Sequence, residues 1–108
     1  MINELQVKYF TKLGETLSFS RTAESFNVSR QAVSKVIASL EAYYGVPLFI
    51  RNQRRVSLSE AGKLLYNFYN EYLEHHSLIK KQLDLIKDKS PELLNVGFQD
   101  YVSFNSDL

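Results

Sequence analysis

The sequence of 108 residues contains no cysteine. This absence excludes a disulfide framework, a thiolate nucleophile and a cysteine-based zinc site, and it is compatible with a reducing compartment. No apolar run is long enough to span a membrane, and the first ten residues carry acidic and polar side chains where a signal peptide needs an apolar segment. Internal repeats and low-complexity tracts are also missing. We therefore expect a cytoplasmic globular protein with no membrane partner.

Hydrophobic residues make up 44% of the chain, which is enough for one compact core and an extended appendage. The net charge of +1 hides an uneven distribution. Residues 1–63 hold nine Lys and Arg against five Glu, a balance of +4, whereas residues 64–108 hold four Lys against seven Asp and Glu, a balance of −3. An electrostatic partner of the first half would be an anion, with nucleic acid as the obvious candidate.

The stretch from Ser29 to Gly45 predicts one helix with both ends marked, because Ser29 can cap its N-terminus and Gly45 can adopt the left-handed conformation that ends it. One face is an apolar stripe formed by Ala32, Val33, Val36, Ile37, Leu40 and Tyr44. The other face is polar and carries Arg30, Gln31, Ser34, Lys35 and Ser39. Bidentate donors and a cation in the first two turns suit base edges in a DNA major groove. The alternative is an ordinary amphipathic helix with a solvated side.

Two shorter helices are predicted before this one. The first runs from about Glu4 to Glu15, with Asn3 and Gln6 as a variant of the capping box. Its predicted core face comprises Leu5, Tyr9, Phe10, Leu13 and Leu17. The second runs from Arg21 to about Phe26, with Ser20 as its cap and Ala23 and Phe26 facing inward. Because Asn27-Val28 makes a tight connection to Ser29, the second and third helices predict a helix-turn-helix.

After Gly45 the pattern changes to two short strand candidates, Leu48–Ile50 and Val56–Leu58. Between them lies the polar turn Arg51–Arg55, which holds three arginines. A basic hairpin directly after a helix-turn-helix is a wing, whose tip can contact phosphates or enter a minor groove. The alternative is a solvated basic loop.

A fourth helix is predicted from Ser59, as its cap, to about Lys87, a length of roughly 40 Å. Its apolar stripe is close to a heptad repeat and comprises Ala61, Leu65, Phe68, Tyr72, His75, Ile79, Leu83 and Ile86, widened by Leu64, Tyr69, Leu73 and His76. A small domain cannot cover the whole stripe, so an identical helix in a symmetric dimer is the most economical partner. Beyond it, Lys87–Glu92 predicts a hinge, because its charged run ends at Pro91, and Leu93–Phe98 predicts a strand that begins a further domain.

Short motifs follow one another in a set order between about Leu5 and Gly62. They are LSFS at 17–20 with Ala23, VS at 28–29 with AVS at 32–34, Ile37 with LE at 40–41, GVPLF at 45–49, Arg51, RRV at 54–56, Leu58 and AG at 61–62. Each motif is weak alone, but in this order they resemble the N-terminal part of LysR-type transcriptional regulators. The likeness continues through the long helix and into the strand at 93–97.

This resemblance implies a mainly α fold: a winged helix-turn-helix of three helices and a two-stranded wing, followed by a long linker helix that dimerises. Residues 1–62 would form the DNA-binding domain, residues 59–88 the linker helix, and residues 89–108 the hinge and first strand of an effector domain that is otherwise absent. The expected DNA target is an imperfect palindrome in duplex DNA, bound by a homodimer or, in a full-length form, by a tetramer. A small co-inducer would bind only through the absent domain, and the chain itself would need no cofactor.

The same resemblance assigns site residues by position. The base-reading candidates are Arg30, Gln31, Ser34 and Lys35. The candidates for backbone or minor-groove contact are Ser20, Arg21, Ser29, Arg51, Arg54 and Arg55. The dimer seam comprises Leu65, Phe68, Tyr72, Ile79, Leu83 and Ile86. Because the family commonly has glutamine followed by serine or proline where Arg30-Gln31 stands, no DNA sequence preference is carried over.

Two rival functions can be set against this one. An enzyme or metal protein would have to be built from His75 and His76 with Glu71 and Glu74, and one helix with these groups falls short of a metal site. The sequence therefore predicts no catalytic residue and no metal. A winged-helix module that binds protein instead of DNA is the second rival. Salt separates it from a DNA-binding protein, because contacts to several phosphates weaken steeply as salt rises.

Overall fold

The computed structural model describes residues 2–89, which form four helices and one antiparallel hairpin. The elements are α1 (Glu4–Thr16), α2 (Phe19–Phe26), α3 (Arg30–Tyr44), β1 (Phe49–Asn52), β2 (Arg55–Leu58) and α4 (Glu60–Lys89). This order confirms the predicted winged helix-turn-helix followed by a long helix. Residues up to Glu71 belong to one compact unit, and a second unit begins at Tyr72. The strand predicted at Leu93–Phe98 lies outside the described residues.

Helix α1 begins with the predicted capping box. The side-chain Oδ1 of Asn3 accepts the Gln6 N–H at 2.8 Å, and Oε1 of Gln6 accepts the Asn3 N–H at 2.9 Å. Two donors that the first turn would otherwise leave unpaired are therefore satisfied by side chains.

The predicted core face of α1 is correct in its centre and wrong at its ends. Tyr9, Phe10 and Leu13 are buried, but Leu5 is 51% exposed and Leu17 is 42% exposed. Leu17 ends the helix in the left-handed conformation, with φ of 53°, and its N–H donates to the carbonyl of Leu13 at 2.7 Å. The backbone therefore turns away at Leu17. Val7 and Thr11 are the buried residues that the prediction omitted.

Helix α2 starts two residues earlier than predicted, and its cap is Ser18, not Ser20. The Ser18 hydroxyl accepts the Arg21 N–H at 3.1 Å, and the Ser18 N–H donates to Oγ1 of Thr16 at 3.2 Å. The earlier start buries the Phe19 ring to 4% exposure, whereas Ser20 stays exposed inside the helix. Burial of an aromatic side chain favours this start by about 1.5–3 kcal/mol. Asn27, in the predicted tight connection, adopts the left-handed conformation with φ of 57°.

Phe10 lies at the centre of the core. Its ring packs edge-on against Phe49 of the hairpin, with centroids 5.5 Å apart, and against Tyr69 of α4, with centroids 6.1 Å apart. The other fully buried side chains come from α1, α2, α3 and the segment before β1: Leu13, Thr22, Val33, Ile37, Leu40 and Leu48. A single core therefore joins α1, α3, the hairpin and the start of α4.

The hairpin is more regular than predicted. Phe49 pairs with Leu58 and Asn52 pairs with Arg55, so only Gln53 and Arg54 form the turn. Gln53 has a φ of 56°, the positive value that two-residue hairpin turns require. The predicted five-residue turn was therefore too long, because Arg51 and Arg55 lie in the paired strands.

Helix α4 is capped by Ser59, whose hydroxyl accepts the Gly62 N–H at 3.0 Å, and it ends at Lys89, two residues beyond the predicted end. Tyr69, one of the residues that widen the predicted stripe, is buried at 7% exposure, and Leu65 is half-buried. The large apolar side chains that α4 exposes are Leu64, Phe68, Tyr72, Leu78, Ile79, Leu83, Leu85 and Ile86. Within residues 2–89, no helix is both long and apolar enough to cross a membrane.

Candidate nucleic-acid interface

The polar face of α3 begins at the helix cap. The Ser29 hydroxyl accepts the Ala32 N–H at 3.1 Å, which fixes the first turn. Arg30, Gln31, Ser34 and Lys35 follow at positions i, i+1, i+4 and i+5, so they lie together on two successive turns. Arg30, Gln31 and Lys35 are exposed and Ser34 is half-buried. This face, called the reading face below, presents amide, hydroxyl and cationic groups in one direction.

The opposite side of α3 holds the helix in place. Val33, Ile37 and Leu40 have no exposed surface, and they pack in the core shared with α1 and α2. Spacing along the helix places Ser39 on the polar face, but its hydroxyl accepts a hydrogen bond from Nε2 of Gln6 at 3.1 Å and donates to the Val36 carbonyl at 2.6 Å. Ser39 therefore links α3 to α1 and does not extend the reading face.

The C-terminal end of α3 is tied to α4 by a hydrogen bond between the hydroxyls of Tyr44 and Tyr69. Burial raises the pKa of Tyr69, and the hydrogen bond with Tyr44 raises it further. Both effects disfavour the Tyr69 phenolate, so this side chain remains neutral around physiological pH.

The structure separates the three wing arginines. Arg51 pairs with Val56 across the hairpin and Arg55 pairs with Asn52, and neighbouring strand positions face opposite sides. Arg51 therefore shares the inner face with buried Phe49, while Arg55 lies on the outer face. The guanidinium carbon of Arg51 lies 4.3 Å from the centroid of the Phe19 ring. Only Arg54 stands at the tip, within the turn.

All three wing arginines are exposed, and so are Ser20 and Arg21 in the first turn of α2. Within residues 2–89, the ion pairs join Lys8 to Glu4 and Lys12 to Glu15, both in α1. The positive charges of the reading face and the wing are therefore not neutralised by carboxylates of the described chain.

Contacts that sequence reasoning missed hold these surfaces together. The Glu41 carboxylate accepts hydrogen bonds from the backbone of the residues that begin the wing, and Oγ1 of Thr16 bonds to Oγ1 of buried Thr22 at 2.8 Å. Neither contact follows from helical periodicity, because its partners are separated by loops. Phe19 was visible only as part of a motif, and nothing in the sequence placed Arg51 on its ring.

The two histidines, His75 and His76, lie next to each other on α4. His75 and His76 are exposed on α4, and the His76 ring lies 6.1 Å from the Tyr72 ring. In the part of the chain that the structure describes, no group of three His, Cys, Asp or Glu side chains is arranged to hold a metal ion.

Residues 5–63 match the model of the bacterial regulatory helix-turn-helix proteins of the lysR family. Among curated proteins, the chain is 37% identical over 78 residues to the HTH-type transcriptional activator IlvY of Salmonella typhimurium. This match covers 72% of the chain but 26% of the relative, so the chain spans about a quarter of the length of IlvY.

Solved structures share the same architecture. A transcriptional regulator of the LysR family from Eggerthella lenta is 36% identical, with a TM-score of 0.61, and the match covers 64% of this chain and 99% of that one. The DNA complex of CbnR_DBD is 25% identical, with a TM-score of 0.73, and the match covers 79% of this chain and 98% of that one.

Proposed function

The chain belongs to the LysR family of bacterial regulatory helix-turn-helix proteins, and from this premise we propose that it binds duplex DNA with sequence preference and regulates transcription. The observation that supports this most directly is the reading face, where Arg30, Gln31, Ser34 and Lys35 share two turns of one helix whose other side is buried. A helix held in this way can enter a major groove as a rigid body.

In this proposal the reading face recognises bases. Arg30 can form paired hydrogen bonds with guanine and Gln31 with adenine, and each good pair contributes about 1–3 kcal/mol of discrimination. Ser34 and Lys35 extend the contact by one helical turn. The DNA target is an imperfect palindrome, since two copies of the helix would meet two half-sites.

The wing and the first turn of α2 contact the DNA backbone. Ser20 and Arg21 lie in the first turn of α2, Ser29 caps α3, and Arg54 and Arg55 supply charge from the wing. Arg51 was included in this group from sequence, and its stacking on Phe19 gives it a second role in holding the wing. No step of this function needs a cofactor or a catalytic residue.

Site selection from random duplex DNA tests the base-reading role. Gln31→Ala should relax the sequence preference at one position of each half-site, while Asn70→Ala, which removes an exposed amide from α4, should leave the preference intact. An unchanged profile for Gln31→Ala would exclude Gln31 from base recognition.

The salt dependence of DNA binding distinguishes this proposal from the rival function, a winged-helix module that binds protein. Binding to duplex DNA should weaken log-linearly with salt, with a slope near −0.9 per phosphate contact. Binding that is flat with salt, or absent at low salt, would favour the protein module.

We propose that α4 joins two copies in antiparallel orientation. The seam, Leu65, Phe68, Tyr72, Ile79, Leu83 and Ile86, has spacings that read the same in both directions about the midpoint between His75 and His76. An antiparallel pair would therefore set Tyr72 against Ile79 of the second copy and Phe68 against Leu83. In a parallel pair each seam residue would instead face its own counterpart in the second copy.

A charge-pair series tests this orientation by sedimentation. Phe68→Lys should weaken the dimer several-fold because it places an unpaired charge opposite Leu83 of the second copy, and Phe68→Lys combined with Leu83→Glu should restore it. Leu83→Asp should give monomers. A dimer that is indifferent to these charges, or one that survives Leu83→Asp, would argue against this arrangement.

The proposal keeps the division predicted from sequence. Residues 1–62 bind DNA, residues 59–88 link two copies, and residues 89–108 lead toward an effector domain that would hold a small co-inducer and permit a tetramer.

A further inference from the structure

The segment Pro47–Phe49 joins the end of α3 to the wing, and its backbone is held from both sides. The N–H of Leu48 donates to Oε2 of Glu41 at 2.7 Å, and the N–H of Phe49 donates to the same oxygen at 3.2 Å. One carboxylate oxygen of α3 therefore satisfies two consecutive backbone donors at the base of the wing.

The carbonyls of this segment are bound by the start of α4. The Leu48 carbonyl accepts the Ser59 N–H at 2.9 Å, and the Pro47 carbonyl accepts the Ser59 hydroxyl at 2.6 Å. A Cβ added to Gly62 would lie 2.0 Å from the Leu48 carbonyl oxygen, so α4 passes as close as a glycine permits. The Leu48 side chain is 1% exposed. The segment is thus a junction of α3, the wing and α4.

The placement of Glu41 needs an explanation beyond helix stability. It lies in the last turn of α3, where the helix dipole disfavours an anion by roughly 0.3–1 kcal/mol. The Glu41 carboxylate accepts hydrogen bonds from backbone N–H groups. Within residues 2–89 it takes part in no ion pair, since the ion pairs there lie in α1. Charge-assisted hydrogen bonds to N–H groups offset that cost and fix the direction in which the chain leaves the helix.

We propose that Glu41 is a positioning residue that sets the wing relative to the reading face, so that both surfaces reach the same duplex. The wing has two strands of four residues and depends on its base for support, because an isolated hairpin is marginally stable. Four residues span about 13 Å. A rotation of about 10° at the base moves the tip by about 2 Å, which is enough to break a phosphate hydrogen bond.

Two variants of Glu41 test this role in DNA binding, which rests on the proposed function. Glu41→Ala removes the acceptor and should weaken binding to the selected duplex roughly tenfold, with a salt slope lowered by about 0.9 for each phosphate that the wing no longer reaches. Glu41→Gln keeps an oxygen that can accept both N–H groups and should restore most of the binding. Glu15→Ala removes the same charge from an exposed position on α1 and controls for the change in net charge.

A double-mutant cycle separates positioning from general stability. In a chain that already carries Arg54→Ala and Arg55→Ala, Glu41→Ala should weaken binding less than twofold, because the wing arginines that it positions are gone. A tenfold loss in that background as well would overturn the proposal, and so would wild-type binding by Glu41→Ala. Circular dichroism at the assay temperature establishes that each variant is folded.

Hydrogen exchange tests the tether without DNA. In Glu41→Ala the amides of Leu48 and Phe49 and the paired wing amides should exchange faster, while the amides of α1 keep their protection. Unchanged exchange at these amides would also overturn the proposal. If the wild-type chain bound no duplex, the proposed function would fail, and exchange would still decide whether Glu41 holds the wing.

Discussion

The guanidinium group of Arg51 stacks on the ring of Phe19, and this contact ties the wing to the first turn of α2. The hairpin pairing puts Arg51 on the inner face and Arg55 on the outer face. Arginines that look equivalent in the sequence therefore have different surroundings. Arg51 bridges two elements of the fold, whereas Arg54 and Arg55 have their charges directed to solvent.

Arg51→Ala should lower the free energy of unfolding by about 0.5–1 kcal/mol, the value of an exposed cation–π contact. Arg55→Ala, the matched control, should change it by less than about 0.5 kcal/mol. Arg51→Lys should recover only part of the loss, because an ammonium group lacks the planar face that stacks on the ring. Urea denaturation measures all three, and equal effects of Arg51→Ala and Arg55→Ala would contradict the distinction.

The two serines at the start of α2 give a second matched pair. Ser18→Ala removes the cap of the helix and should cost about 1 kcal/mol, within the range of about 0.5–2 kcal/mol for the removal of N-caps. Ser20→Ala should have little effect, because Ser20 is exposed within the helix. Chemical denaturation of both variants checks this. A larger loss of stability for Ser20→Ala than for Ser18→Ala would show that Ser20 caps the helix, as the sequence alone suggested.

Features that depend on adjacent residues were predicted more accurately from the sequence than features that depend on distant ones. Helix α3 was predicted correctly at both ends because its two caps are adjacent to it: Ser29 acts through its own hydroxyl and Gly45 through its left-handed backbone. At α2, two serines two residues apart could each cap a helix, and the burial of Phe19 decided between them. That burial depends on the rest of the core, which no local pattern contains.

Helical periodicity predicted which side of a helix faces the core, but not how much of that side is buried. Leu5 and Leu17 fit the stripe of α1, yet both are exposed. The candidate site shows the same limit. The reading face follows from spacing along one helix, whereas Glu41 and Arg51 act on residues in other elements, so their contacts emerged only from the fold.

Substitution of alanine for two helical glycines, Gly62 and Gly14, should lower stability by different amounts. A Cβ on Gly62 would lie 2.0 Å from the Leu48 carbonyl oxygen, which is held in the junction, so Gly62→Ala should cost about 3 kcal/mol or more. A Cβ on Gly14 would meet the Tyr66 ring at 2.4 Å, and that half-buried side chain can rotate. Gly14→Ala should therefore cost less. Thermal unfolding ranks the two, and the opposite order would mean that the junction can yield.

The raised pKa of Tyr69 predicts a loss of stability in alkali. In the unfolded chain a tyrosine ionises near pH 10, but in the folded chain burial and the Tyr44 hydroxyl keep Tyr69 protonated to higher pH. Its contribution is therefore complete below pH 10 and falls as the pH rises further, by at most about 1.4 kcal/mol per pH unit.

Tyr69→Phe isolates this effect, because it removes the ionising group and keeps the ring against Phe10. At pH 8 the variant should be slightly less stable than the wild type, since it lacks the hydrogen bond to Tyr44. Between pH 10 and pH 11 the difference should shrink and then reverse, because ionisation at this position stabilises the unfolded state of the wild-type chain alone. Urea titrations at these pH values measure it. A difference that stays constant with pH would show that Tyr69 ionises as easily in the folded chain as in the unfolded one.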